Sequence, residues 1–174
     1  MAPPTAVNRQ ARKAPLPMSY DFNANDIFEM AEQIERNGAA FYRKAAADVS
    51  DPDARNFLSD LAAMEDDHEK TFSSMKQKLS QTEKAQTVFD PDHEAASYLK
   101  ALADTRIFFE KEIDNSSMQA ILKAAILAEK DSIVFYLGMK DLVPEDLGQS
   151  RLDDIIKEEM SHIKMLSRRL IATR

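Results

Sequence analysis

Four long stretches of this chain carry apolar residues at alternating steps of three and four, and a glutamate breaks each stripe near its middle. The first stripe reads Phe28, Ala31, Glu35, Gly38, Tyr42, Ala45, and the second Leu58, Leu61, Glu65, His68, Phe72, Met75. The third reads Leu122, Ala125, Glu129, Ser132, Tyr136, Met139, and the fourth Leu152, Ile155, Glu159, His162, Leu166. Such stripes make four amphipathic helices around a common core, each bringing one carboxylate into it. Helix 1 is expected from about Asn25, as N-cap, to Val49. Helix 2 starts at Asp51-Pro52, a capping residue followed by proline at the first helical position, and runs to about Leu79. Helix 3 spans about Ser117 to Lys140, and helix 4 follows Pro144, from about Glu145 to Ala172. Short turns within each pair predict two antiparallel hairpins. Residues 80–116 then form one long crossover between them, holding a short helix near Glu94–Leu102.

Outside the stripes the sequence mostly excludes. With no cysteine among 174 residues there is no disulfide framework, thiol nucleophile, Cys-ligated zinc or iron–sulfur cluster. Thirty acidic against 23 basic residues, a formal charge of −7, argue against binding a phosphate backbone. No apolar run approaches the roughly 20 residues of a membrane span. Residues 1–22 form a separate basic arm with Pro3, Pro4, Pro15 and Pro17, and their composition predicts disorder. No signal-peptide core is visible there, so the expected location is cytoplasmic. The remaining residues, 23–174, are expected to form one domain.

Four glutamates inside a bundle need an offset, because an unpaired buried carboxylate loses several kcal/mol of hydration. Two divalent cations would match four carboxylates and leave two imidazoles neutral. Glu-x-x-His places both ligands on one helical face, one turn apart. Oxygen plus imidazole ligation suits iron, manganese or zinc. An internal repeat sharpens this reading: Glu35, Phe41, Tyr42, Glu65 and His68 recur 94 residues later as Glu129, Phe135, Tyr136, Glu159 and His162. The chain reads as two copies of one hairpin, each contributing a Glu and a Glu-x-x-His.

This constellation resembles the rubrerythrin and ferritin-like superfamily of di-iron carboxylate proteins, over about residues 25–172. The resemblance implies an all-α, ferritin-like four-helix bundle. It implies that Glu35 and Glu129 each ligate one metal, that Glu65 and Glu159 bridge two, and that His68 and His162 are imidazole ligands. It further implies that Tyr42 and Tyr136 hydrogen-bond ligand carboxylates or buffer a stray oxidising equivalent, and that two iron ions are the cofactor. Core packing with a satisfied hydroxyl accounts equally for both tyrosines. The chain departs from rubrerythrins in carrying Ser132 where a further carboxylate is usual, and in lacking the four cysteines of a rubredoxin-like domain. Electrons would therefore come from a separate donor protein. The six ligands resemble the ferroxidase centre of bacterioferritin, but Asp66 follows Glu65 where that family carries its haem-ligating methionine, so no haem is expected.

The expected function is that of a non-haem di-iron oxidoreductase acting on hydrogen peroxide or dioxygen. Iron storage by a ferroxidase, or a structural metal-binding bundle, are the alternatives. The expected partners are the small oxidant, the electron donor and a second copy of the chain in a homodimer, with no nucleic acid and no membrane. His93 reads as a solvated loop residue, Glu32 and Asp131 as solvated helix flanks. Gly38 and Ser132 are small positions that leave room near the metals.

Overall fold

A computed structural model describes residues 24–80, 99, 117–140, 143, 145 and 148–173. The basic arm, His93 and nearly all of the expected crossover lie outside these residues. Four helices occur among the described residues: α1 (Ala24–Asp48), α2 (Pro52–Gln77), α3 (Met118–Lys140) and α4 (Gln149–Ala172). α1 packs along α2 and α3 along α4, with α1 also touching α3. Leu99, described along with Ser80 from the expected crossover, is helical and fully buried.

Local chemistry explains the starts of α2 and α3. The Asp51 carboxylate accepts from the Ala54 backbone N–H at 2.8 Å, ahead of proline at the first helical position of α2. The Ser117 hydroxyl accepts from the Ala120 N–H at 3.2 Å and opens α3 in the same way. Two ends differ from expectation. Asn25 lies inside α1 rather than at its cap, and its side chain donates to Glu29 one turn on, at 3.2 Å. α4 begins after Gly148 rather than near Glu145. Gly148 has φ +113°, a left-handed conformation that interrupts the helix and is open to glycine at little cost. A Cβ there would also meet Met75 Cε of α2 at 3.0 Å.

The interior consists of two apolar clusters. One contains Phe28, Ala31, Phe72, Met75, Tyr136, Met139, Leu152 and Ile155. The other contains Tyr42, Ala45, Leu58, Leu61, Leu122, Ala125 and Leu166. On every stripe the glutamate sits between members of the two clusters, so a polar layer divides the core. No described helix is long and apolar enough to cross a membrane.

Candidate metal centre

The dividing layer brings together all six residues singled out by the stripes. Glu35 and Glu129 come from α1 and α3, while Glu65 with His68 and Glu159 with His162 come from α2 and α4. All six are at most 4% exposed. They form two overlapping sets, Glu35, Glu65, His68, Glu159 and Glu65, Glu129, Glu159, His162. In each set one ligand atom per residue lies within 4.8 Å of the others. Each set takes three residues from one hairpin and one from the other, as an approximate twofold relation between the hairpins requires.

The distances place Glu65 and Glu159 between the two sets. One Glu159 oxygen lies 2.9 Å from His68 Nδ1 and the other 2.9 Å from His162 Nδ1. Glu65 faces His68 with Oε2 at 3.6 Å and His162 with Oε1 at 3.4 Å. The outer carboxylates are private to one imidazole each: Glu35 to His68 and Glu129 to His162, both at 3.6 Å. The two imidazoles stack, with ring centroids 5.6 Å apart and planes 18° from parallel.

Despite this proximity, Glu65 Oε1, both Glu159 oxygens and both Nδ1 atoms lack an aligned hydrogen-bond partner while fully buried. Leaving so many strong polar groups unsatisfied in a core is costly. In each set one donor atom per residue lies within 4.8 Å of the others, a grouping that carboxylate and imidazole groups take around cations. Hard oxygen plus borderline nitrogen donors fit iron, manganese or zinc.

Each tyrosine crosses the bundle. Tyr42 of α1 donates its hydroxyl hydrogen to Glu129 Oε1 of α3, and Tyr136 of α3 donates to Glu35 Oε1 of α1. Both outer carboxylates thus have one oxygen held by the opposite hairpin. Burial, with the neighbouring carboxylates, raises the pKa of both phenols and keeps them protonated donors.

Without metal the layer balances its charge with protons. Burial pushes Glu35 and Glu129 well above the ordinary carboxylate range. Burial also opposes ionisation of Glu65 and Glu159, but contacts with the two imidazoles outweigh it and hold both below that range. The imidazoles respond in the opposite direction. Desolvation disfavours their charge, yet contacts with Glu129, Glu159 and Glu65 push His162 up to about 12, and contacts with Glu159, Glu35 and Glu65 likewise raise His68 above the usual imidazole range.

Two carboxylates outside the six differ from their sequence reading. Glu32 is not a solvated flank. It is 6% exposed and paired with Lys76 of α2 at 2.8 Å, because the Lys76 side chain folds over it. Glu158 had drawn no attention because it lies one position off the α4 stripe, yet its Oε2 is 2.9 Å from His68 Nε2. The residue 94 positions earlier is Met64, a difference visible in the repeat itself. Gly38 has a contact reason to be small, since a Cβ there would lie 3.3 Å from Glu65 Cγ. The Ser132 hydroxyl turns back to the Ala128 carbonyl at 3.2 Å, away from any ligand role.

Comparison with known proteins agrees with this geometry. Residues 2–76, which include α1 and all but the last residue of α2, match the Rubrerythrin family model. A solved structure from Thermotoga maritima, described as a ferritin-like diiron-carboxylate protein, is similar with TM-score 0.66 and 24% identity, covering 88% of this chain and 97% of that one. No curated protein matches the chain significantly. The second hairpin repeats the ligand residues of the first, and the chain is thus similar to the Rubrerythrin family over its N-terminal part and to a ferritin-like structure in its fold.

Proposed function

We propose that this chain is a non-haem di-iron oxidoreductase of the rubrerythrin-like type, reducing hydrogen peroxide or dioxygen with electrons from a separate cytoplasmic donor protein. The observation carrying this reading is the pair of four-residue sets sharing Glu65 and Glu159. Two irons held so closely would supply two electrons to one O–O bond. Glu35, Glu65 and His68, with Glu159, would hold one ion, and Glu129, Glu159 and His162, with Glu65, the other.

The remaining residues set the conditions for that chemistry. The flanking apolar clusters keep bulk water from the layer. Tyr42 and Tyr136 donate hydrogen bonds to Glu129 Oε1 and Glu35 Oε1, which fixes the direction of each outer carboxylate. Gly38 lets the Glu65 side chain pack close against α1, where a Cβ would press on it at 3.3 Å. Reducing peroxide to two waters consumes two electrons and two protons, and the cysteine-free chain must draw those electrons from its donor.

A homodimer is supported by the outer faces of the hairpins. The Arg43–Asp66 ion pair of the first hairpin is replaced at the repeat-equivalent positions by Leu137 and Met160, 50% and 53% exposed. Stopped-flow oxidation of the di-ferrous protein tests the function. Oxidation by peroxide or dioxygen faster than that of free ferrous ion is expected, and no acceleration would refute the enzymatic reading. Oxidation of many irons per chain in a large assembly would replace it with iron storage.

A further inference from the structure

The two sets repeat each other in ligands, in the 2.9 Å approach of Glu159 to each Nδ1 and in a tyrosine on each outer carboxylate. They differ behind the histidines. On the far side of the His68 ring, Nε2 lies 2.9 Å from Glu158 Oε2 of α4. Under the 94-residue repeat the residue placed to serve His162 is Met64, whose thioether is at best a weak acceptor and carries no charge. Among the described residues no carboxylate contact replaces it.

From this asymmetry we infer that the two metal positions are inequivalent: Glu158 is a positioning residue for His68 and makes the Glu35, Glu65, His68, Glu159 position the tighter and first filled. A carboxylate on Nε2 fixes the imidazole hydrogen there and leaves the Nδ1 lone pair for a cation. It also makes that nitrogen more basic and adds a negative charge on one side of the pair only. Partners of this kind typically change metal affinity by about 10–100-fold. Glu158 is half exposed and outside both ligand sets, so its substitution leaves the core packing in place.

The inference rests on the metal-centre reading, and the experiment separates the two. The full chain is titrated anaerobically with cobalt(II), followed by visible absorption and calorimetry, alongside Glu158→Gln and Met64→Glu. Two steps are expected for the unsubstituted chain. Glu158→Gln should weaken the first by about 10–100-fold and leave the second unchanged, while Met64→Glu tightens the second. In the cobalt-loaded protein, Glu158→Gln should displace only one of the two exchangeable imidazole N–H resonances, a signature that a merely structural role would not produce. Two cobalt ions bound with affinities that Glu158→Gln leaves unaltered, or weakens alike, overturn the inequivalence and leave the metal centre standing. A chain that binds no cobalt overturns both.

Discussion

Loading the metal-free protein with two divalent cations should release about four protons per chain near neutral pH. The number follows from the groups that change state. Without metal, the shifts favour the imidazolium forms of His68 and His162 and the acid forms of Glu35 and Glu129, and favour ionisation of Glu65 and Glu159. Two negative groups face two positive ones, and the layer is neutral. With two cations bound, four carboxylates face four metal charges and it is neutral again. The exchange is therefore two cations for four protons, and the overall binding constant should rise by roughly four powers of ten per pH unit. Zinc serves as the probe because it has no redox chemistry. Release is measured with an indicator dye in weakly buffered solution, and independently by calorimetry in buffers of different ionisation heat.

The sign for stability runs opposite to that for metal. The stabilisation of the metal-free chain by His162 is complete below the ordinary imidazole value and is lost as pH rises toward about 12. Glu35 and Glu129, also raised, lose theirs as pH climbs above the ordinary carboxylate range. Glu65 and Glu159, lowered, lose theirs only as pH falls below that range. The metal-free melting temperature should fall from neutral to alkaline pH while the increment from zinc grows. Release of one proton or none per zinc pair would mean that four ionised carboxylates coexist with neutral imidazoles in the metal-free core, and the charge argument would be wrong.

Because Glu159 belongs to both sets, Glu159→Gln should reduce zinc stoichiometry at both positions, whereas Glu35→Gln and Glu129→Gln should each spare one ion; equal losses in all three, measured by elemental analysis, would remove the bridging role. Tyr42→Phe and Tyr136→Phe each delete one buried hydrogen bond between hairpins and should each cost about 1–3 kcal/mol in denaturant unfolding, with no cost expected if the hydroxyls are not engaged. Gly38→Ala should act with two signs. It favours α1 by about 0.5–1 kcal/mol through backbone entropy, but presses a methyl group on Glu65, so the metal-free melting temperature holds or rises while the zinc increment shrinks. An unchanged increment would show that Glu65 yields without consequence.

Much of this architecture was legible because a helix repeats its faces at a fixed period. Reading Glu35 and Tyr42, or Glu65 and His68, on one face needs only residue spacing. The cap at Asp51 was legible for a similar reason, since it depends on three neighbouring residues. What spacing cannot convey is which helix lies opposite. That the Tyr42 hydroxyl reaches Glu129, rather than Glu35 on its own helix, depends on how the hairpins dock. Glu32 was misplaced as a solvated flank because the lysine covering it comes from α2. Glu158 was missed because α4 brings it to His68 from the other hairpin. The late start of α4 reflects a left-handed glycine packed against Met75, a long-range contact that no window around Glu145 contains.

The three-plus-one division of each ligand set governs how long an ion stays. An ion in either position would be gripped from both hairpins, and each outer carboxylate is also tethered by a tyrosine from the facing hairpin. Motion of one side chain releases only one donor, so escape requires the hairpins to part. The lifetime of a bound ion is then set by an opening of the bundle, rare and steeply temperature-dependent as such openings are. A chelator would strip the protein at a rate that stops rising with chelator concentration, and residence time would become a kinetic property of the fold.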